Sequence, residues 1–263
     1  MRQEPLITYE LESLRSSCPA IFADAPAPGV SDRYSFIPTH AVIAPLLKEG
    51  WRITDFKSQH TGRNGPPDPT GFHLLRLVPP GKVREVRGGR FEACLLNSHN
   101  RSRRITARAG LYRLVCKNGL MLPTGMAAET CRLHLDGQIK VGDVIDAFAA
   151  IAASYPRIAD SVEVFAKRDL TLEERVEFAD ACLMARYGNG PRTVTSQAVL
   201  TPRRIADASD DLWTVLNRVQ ENIIWGCRDG RHMSKPVSSL VEQARVNVKM
   251  WELAEELMAR GRN

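Results

Sequence analysis

The stretch 91–123 constrains the fold most, because it combines strand, turn, basic and helix signals within a short length. An apolar run that begins at Phe91 predicts a strand, and the polar residues 97–100 predict a turn after it, since such side chains bond the local backbone. Arginines follow, and apolar residues at helical spacing over 111–115 then precede Asn118–Gly119, which favours a helix stop. The predicted order is strand, basic turn, short strand and helix.

Positive charge is concentrated in the same part of the chain. The segment 76–117 contains eleven Lys and Arg against Glu85 and Glu92, a net charge of +9, whereas the whole chain carries +6. The remaining residues therefore sum to −3. A basic block on an otherwise slightly acidic protein is typical of a phosphate-binding surface; the alternative is a solvated, charge-rich hairpin. We favour nucleic acid, because few acidic residues lie nearby in sequence to neutralise the block.

Periodicity and turn residues predict the elements that precede Phe91. They are a short helix at 8–17, a linker at 19–31, a helix capped by Thr39 and ended by Gly50, strands at 51–60 and 72–78, and a basic hairpin tip at 83–90. Pro45 lies inside the second helix, where it removes a backbone donor and is expected to kink or shorten that helix.

The chain beyond Pro123 has a helical pattern. Helices are predicted at 141–167, 171–187 and 212–225, and from Ser238 or Ser239 to Leu257. Thr171 opens one of them with a capping box, and Asp210 or Asp211 is expected to cap the next. A polar stripe at 217–222 either binds a ligand or bonds a neighbouring loop such as 203–204; we favour the loop.

These elements predict the α+β class. The expected architecture is an antiparallel β-meander packed on helices, a helix-β-β-β-α core with a C-terminal helical part. We place an N-terminal helix and linker at 1–31, a basic α+β core at 32–136, and helices that pack on that core at 137–263.

Composition and motifs narrow the classes of function. A chain of 263 residues that is 43% hydrophobic is expected to bury one sizeable core. It has no export signal and no apolar run of about 18 residues, so we expect a cytoplasmic protein. The six cysteines are widely separated and are predicted to be buried free thiols. No phosphate-loop, zinc-protease or nucleophile-elbow motif occurs, so we expect no enzymatic activity, no metal and no cofactor.

Isolated candidates for chemistry have simpler structural interpretations. Ser98 and His99, near Cys94, are adjacent residues that point to opposite faces of a strand, so a polar turn is favoured over a nucleophile and base. His73 is predicted to be a core or surface histidine. Tyr112 lies beside the arginines, and its ring is expected either to stack on a base or to pack in the core.

Several segments together resemble the phage- and plasmid-borne DUF932 family, a domain of unknown function. They are YSFIPT, LLNSHN, AGLYRLVCKNGL, LTPRR, DLWTVLNRVQEN and VNVKMWELAEEL, and the likeness extends from about Asp32 to Leu257. The chain differs at Pro45 and at Asn100, where the family has an acidic residue after the Asn-Ser-His triplet. The resemblance implies a mobile-element setting and no particular chemistry.

A remoter resemblance bears on mechanism. The segment 34–57, followed by a basic meander and a helix, looks like the helix-β-β-β-α core of the Rad52, Red-beta and RecT single-strand annealing proteins. That likeness implies rings or filaments that hold single-stranded DNA in a basic groove and pair complementary strands without ATP. The residues that it places in or beside the groove are Arg101, Arg103, Arg104, Arg108, Tyr112, Arg113 and Lys117, with Lys57 and Arg63 at the edge.

The sequence therefore predicts a homo-oligomeric, mobile-element protein that binds and anneals single-stranded DNA without ATP or a cofactor. The alternative is a non-enzymatic anti-defence or interaction protein whose basic face binds a host protein complex. A third alternative is a nuclease or other enzyme without a detectable motif.

Overall fold

The computed structural model describes residues 6–31, 34–62, 64–81, 85–113, 119–121 and 140–260. Within these residues an antiparallel sheet is combined with helices, which confirms the predicted α+β class. The boundary predicted after 31 adjoins residues 32–33 and the boundary predicted after 136 lies within 122–139, both outside the described ranges, so the three-part division stays a prediction.

The described strands form one main sheet and one small hairpin. The main sheet contains β1 (Arg52–Ser58), β2 (His73–Val78), β3 (Glu85–Val86), β4 (Gly89–Asn97), β5 (Thr106–Arg113) and β6 (Gly119–Met121). Their spatial order is β1-β2-β4-β5-β6, and β3 pairs with β4. The pairs β1–β2 and β2–β4 are antiparallel, with a register shift between Ile53 and Asp55. The small hairpin consists of β7 (Arg228–Asp229) and β8 (His232–Met233).

Helices account for most of the remaining described residues. They are α1 (Thr39–Lys48), α2 (Val141–Phe165), α3 (Leu172–Tyr187), α4 (Ser196–Leu200), α5 (Leu212–Trp225) and α6 (Leu240–Arg260), with 3-10 helices at Leu11–Leu14, Pro19–Phe22 and Ile205–Asp207. The capping box at Thr171 is confirmed, because its hydroxyl accepts from the Glu174 amide and its own amide donates to the Glu174 carboxylate. Asp211 caps α5 by accepting from the Thr214 amide at 2.9 Å.

The prediction that a helix begins at Leu111 is wrong. Residues 111–113 belong to β5, and 114–118 lie outside the described residues. Leu111 packs over Gly89 of β4, where an added Cβ would come within 2.9 Å of its Cδ1 atom. Pairing with a neighbouring strand therefore outweighs the local helical spacing.

Two N-terminal expectations also need correction. Part of the linker predicted at 19–31 is a 3-10 helix in which Ala20 and Ile21 are fully buried, so it packs on the core instead of connecting two parts. Thr39 is the first residue of α1, and Pro38 occupies the N-cap position without a side-chain hydrogen bond. The helix continues through Pro45 as far as Lys48.

The chain separates into two compact units. Unit 1 consists of 1–84, 91–110 and 124–155, and unit 2 of 85–90, 111–123 and 156–263. The buried side chains of unit 1 come largely from α1, β2 and β4, and β1 adds Ile53. Two aromatic contacts extend this core to α2: Trp51 meets Phe148 edge-on at 5.2 Å, and Phe91 stacks on Tyr155 at 4.8 Å.

Unit 2 is organised around α5, which contacts α3, α4 and α6. Its residues from Leu212 to Ile224 are buried, apart from a partly exposed Thr214. Burial on all sides explains why this helix carries apolar residues around most of its circumference.

The polar stripe of α5 bonds its neighbours, as predicted. Asn222 accepts from Arg203 Nε at 2.8 Å and donates to the carbonyls of Val199 and Thr201, each at 2.9 Å. One turn earlier, Arg218 donates to the carbonyl of Leu200 at 3.1 Å. These buried bonds fix the segment that precedes α5.

Arg204 and α6 complete this network. Glu221 accepts from Arg204, which also pairs with Asp207 at 2.7 Å. Gln220 donates to Asn247 Oδ1 of α6 at 2.8 Å. The LTPRR, DLWTVLNRVQEN and VNVKMWELAEEL segments therefore meet in one place.

Replacing Asn222 with Ala is expected to destabilise the fold by about 2–3 kcal/mol, because two carbonyls and a guanidinium lose a buried partner. Urea denaturation measures this loss. Asn189→Ala, at an exposed loop position, is the control and should change stability by less than about 0.5 kcal/mol. Equal effects of the two substitutions would contradict the role of the stripe.

Candidate nucleic-acid interface

The loop between β4 and β5, residues 98–105, is called the arginine loop here. Ser98 closes its base: its Oγ donates to the carbonyl of Arg103 and accepts from the amide of Arg103, both at 2.8 Å. Within the loop, Asn100 Oδ1 accepts from the Ser102 amide at 3.0 Å, and Arg101 takes a left-handed φ of 65°. These bonds define the backbone path on which the arginines are carried.

Asn100 occupies the position at which the resemblance implies an acidic residue. An Asp side chain would accept the same bond from Ser102, so the turn does not require the amide. Compared with an acidic residue there, Asn100 leaves one negative charge fewer next to Arg101, Arg103 and Arg104.

The loop begins at a set of buried polar side chains, the buried histidine cluster, formed by Thr39, His73, Asn97 and His99. Each is at most 2% exposed. His73 Nδ1 lies 3.0 Å from the carbonyl of Gly71, which only accepts, so Nδ1 carries the proton. His73 Nε2 therefore accepts from Thr39 Oγ1 at 2.8 Å, and the same hydroxyl accepts from Asn97 Nδ2 at 2.9 Å.

His99 joins the cluster from the loop side. Its Nε2 lies 3.0 Å from the carbonyl of Ala20 and 3.4 Å from Thr39 Oγ1, so Nε2 carries the proton. Its Nδ1 is then an acceptor, and among the described residues it has no hydrogen-bond partner.

Burial keeps both imidazoles neutral. Removal from water lowers the pKa of His73 from 6.5 to about 4, against the opposing effect of the hydrogen bond to Gly71. The pKa of His99 is lowered to about 4 for the same reason, against its bond to Ala20. The cluster is therefore uncharged at neutral pH.

Several chain segments hold the base of the arginine loop. The Tyr34 hydroxyl donates to the carbonyl of Ser98 at 2.6 Å, and Asn97 Nδ2 donates to the carbonyl of Ile37 at 3.2 Å. The backbone of His99 accepts from the amide of Ala27 at 2.9 Å and donates to Thr70 at 2.8 Å. The YSFIPT and LLNSHN segments thus lie against each other.

Sequence reasoning missed this arrangement. It treated Ser98 and His99 as a polar turn, whereas both are fully buried, and it gave Thr39 a capping role that the structure does not show. It correctly allowed for a core histidine at His73, which is fully buried. The available signal was three polar residues, 97–99, directly after a long apolar strand.

The structure brings four of the predicted site residues to one end of the sheet. Arg101, Arg103 and Arg104 are exposed, and their side chains form no ion pair with any residue in the described ranges. Lys57 is also exposed. In the sheet, Lys57 of β1 lies opposite Leu74 of β2, and Leu74 lies opposite Leu96 of β4, next to the start of the arginine loop.

The other predicted site residues are not part of this group. Arg108 lies in β5 and is half-buried, and Arg113 is the last residue of β5. Arg63 and Lys117 lie outside the described residues. Tyr112 is 5% exposed, so its ring packs in the interior and is not available to stack on a base.

Tertiary contacts neutralise part of the basic segment. Arg76 pairs with Asp55 at 2.9 Å and with Glu92 at 2.7 Å, while Arg87 pairs with Glu163 at 2.6 Å. Few acids lie near the block in sequence, yet Asp55 and Glu163, which are distant in sequence, pair with these two arginines.

Two further classes of site are absent from the described ranges. No group of three or more His, Cys, Asp or Glu side chains there is arranged to hold a metal ion. No helix in the same ranges combines the length and hydrophobicity that crossing a membrane requires.

Comparison with known proteins identifies the relationship. Residues 28–251 match the family model described as Domain of unknown function (DUF932). The chain belongs to the DUF932 family. Two relatives from Escherichia coli (strain K12), the UPF0380 proteins YafZ and YfjQ, are each 29% identical over 263 residues, covering 98% of this chain and 93% of the relative. No solved structure matches. The arginine loop and the buried histidine cluster lie inside the DUF932 region.

The two buried histidines should make stability depend on pH. Because their pKa values in the folded state lie below 6.5, the unfolded chain binds protons first, so stability is complete above about pH 6.5 and falls towards pH 4. Between about pH 7.5 and about pH 5.5 we expect a loss of about 1.4 kcal/mol per histidine in urea denaturation. His60→Gln, at an exposed position, should preserve this loss. Unchanged stability at the lower pH would contradict neutral burial.

Proposed function

We propose that this DUF932 protein binds single-stranded nucleic acid through the arginine loop and Lys57. The observation that carries the proposal is that Arg101, Arg103 and Arg104 are exposed without an ion pair in the described ranges, on a loop anchored at its base. Guanidinium groups bind phosphates with two hydrogen bonds in a fixed geometry, which makes them suited to a nucleic-acid backbone.

The anchored base favours binding energetically. Ordering a mobile basic loop on binding costs conformational entropy, whereas a loop whose backbone is already held loses less. Ser98 and Asn100 hold this backbone, so mainly the long arginine side chains need to be ordered. Contacts of this kind read phosphates and carry no base sequence, so we expect sequence-independent binding.

Strand annealing is the finer part of the proposal. Its support is the order of elements, since α1 is followed by antiparallel strands that include β1, β2 and β4, the order that the resemblance to single-strand annealing proteins implies. Annealing also fits the expected homo-oligomer, because rings and filaments place many basic loops along one strand.

Charge reversal at Arg103 and Arg104 tests binding. With about four phosphate contacts, log K for a short single strand should fall with log salt at a slope of about −3. Arg103→Glu with Arg104→Glu should weaken binding strongly and make this slope shallower by roughly 1.4. Fluorescence anisotropy at several salt concentrations provides both values, and the melting temperature should remain nearly unchanged, because both side chains are exposed.

The matched control reverses two exposed charges elsewhere, Arg157→Glu with Lys167→Glu. It changes the net charge by the same amount and should leave the affinity within a few-fold of the parent. Binding that survives reversal at Arg103 and Arg104, or that both pairs reduce equally, would remove the arginine loop from the proposal. The basic face would then be assigned to an acidic protein surface, and nuclease-treated pull-down from host lysate would test that alternative.

Annealing needs its own measurement. Complementary strands labelled with a fluorophore and a quencher should pair faster with the protein than without it, in the absence of ATP, and the reversed pair at Arg103 and Arg104 should lose the acceleration. Mass photometry on the same samples should show larger assemblies when the single strand is present. Binding without faster pairing would exclude annealing and leave single-strand binding in place.

A further inference from the structure

Trp225 is exposed in a way that the other tryptophans are not. The chain has four, and Trp51, Trp213 and Trp251 are at most 5% exposed, whereas Trp225 is 45% exposed. It is the last residue of α5, a helix that is otherwise almost entirely buried. The indole of Trp225 therefore keeps apolar surface in contact with water in the folded protein.

The surroundings of Trp225 are fixed by the chain that follows it. Gly226 has a φ of 79°, and an added Cβ would lie 2.3 Å from the carbonyl oxygen of Ser234. The Ser234 amide donates to Cys227 at 2.9 Å, and the Val237 amide donates to Ile224 at 2.8 Å. The β7–β8 hairpin is therefore tied to the end of α5, directly after Trp225 in the chain.

This hairpin is basic. The segment 225–235 carries exposed Arg228, Arg231 and Lys235 against one carboxylate, Asp229, which accepts from the Thr195 amide at 2.8 Å. Next to Trp225, the carbonyl of Gly226 accepts from the partly exposed guanidinium of Arg203. An aromatic face is thus combined with several cations on one short segment of unit 2.

We propose that Trp225 stacks on a base of single-stranded nucleic acid while Arg228, Arg231 and Lys235 contact its phosphates. This inference rests on the proposed function and adds a second contact, in unit 2. Single-strand-binding proteins combine a basic surface with aromatic side chains, since every base has a face to stack. The bases of a duplex are already stacked on each other, so this site selects single strands.

The positive charge of the β7–β8 hairpin favours nucleic acid over a second copy of the chain as the partner that covers Trp225. A two-fold contact through this surface would place the same basic segment on both sides and bring like charges together. An anionic ligand with flat apolar faces matches both the cations and the indole.

Intrinsic fluorescence can report ligand contact at Trp225, because the other three tryptophans are buried and a ligand in solution does not touch them. An oligonucleotide of deoxythymidines should quench and shift the emission, while an abasic sugar-phosphate chain of the same length, and a duplex, should leave it unchanged. Trp225→Phe should remove the spectral change and keep most of the affinity, since it keeps a ring. Trp225→Ala should weaken binding roughly tenfold, the range expected for losing one stacked base.

Fluorescence anisotropy on the same samples separates this inference from the proposed function. Binding without a change in tryptophan emission, or equal quenching by the abasic chain, overturns stacking at Trp225 and leaves the arginine loop untouched. Emission that depends on protein concentration before ligand is added, and that loses this dependence in Trp225→Phe, shows that a second copy covers the indole, which also overturns it. Absence of binding in both measurements overturns the proposed function. Melting curves establish that each variant is folded.

Discussion

The hydroxyl group of Thr39 holds together the part of the structure on which the arginine loop depends. It donates to His73 of β2 and accepts from Asn97 at the end of β4, and so ties the start of α1 to two strands. Every member of this arrangement is buried, and a buried polar group that loses its partner costs far more than an exposed one. The end of β4, and with it the first residue of the loop, therefore has one well-defined position.

The tertiary structure pairs some of the positive charges of the basic segment with carboxylates and leaves others exposed. Arg76 is held by the fully buried Glu92 and is part of the scaffold, whereas Arg87 pairs with Glu163 at the surface, where an ion pair adds little stability. The exposed arginines of the loop have no such partner in the described ranges. A charged side chain that supports the fold is paired within the protein, whereas one that binds a ligand remains exposed to solvent. Whether a charge is paired therefore distinguishes these two roles better than the net charge of the segment does.

Unit 2 likewise combines polar side chains that are paired within the protein with one exposed side chain, in this case a tryptophan. The hydrogen bonds of Arg203, Arg218 and Asn222 fix the segment before α5, so polar groups in a buried helix serve structure there. Trp225, at the end of the same helix, is left exposed beside the basic β7–β8 hairpin. A rigid scaffold that presents a few open side chains is the arrangement that both proposals share.

Local signals in the sequence determined much of the fold: α5 has its predicted bounds, Leu212–Trp225, and the capping box at Thr171 is present, because both depend on residues within a few positions of each other. The sequence also determined that a basic turn follows the strand that begins near Phe91. Only the tertiary structure decided that Leu111 joins a strand and that Tyr112 is buried. Only the tertiary structure forms the buried histidine cluster, in which hydrogen bonds join residues separated by 34, 60 and 79 positions in the sequence. Partners at such separations leave no periodic pattern in the chain, since they are chosen by packing in three dimensions.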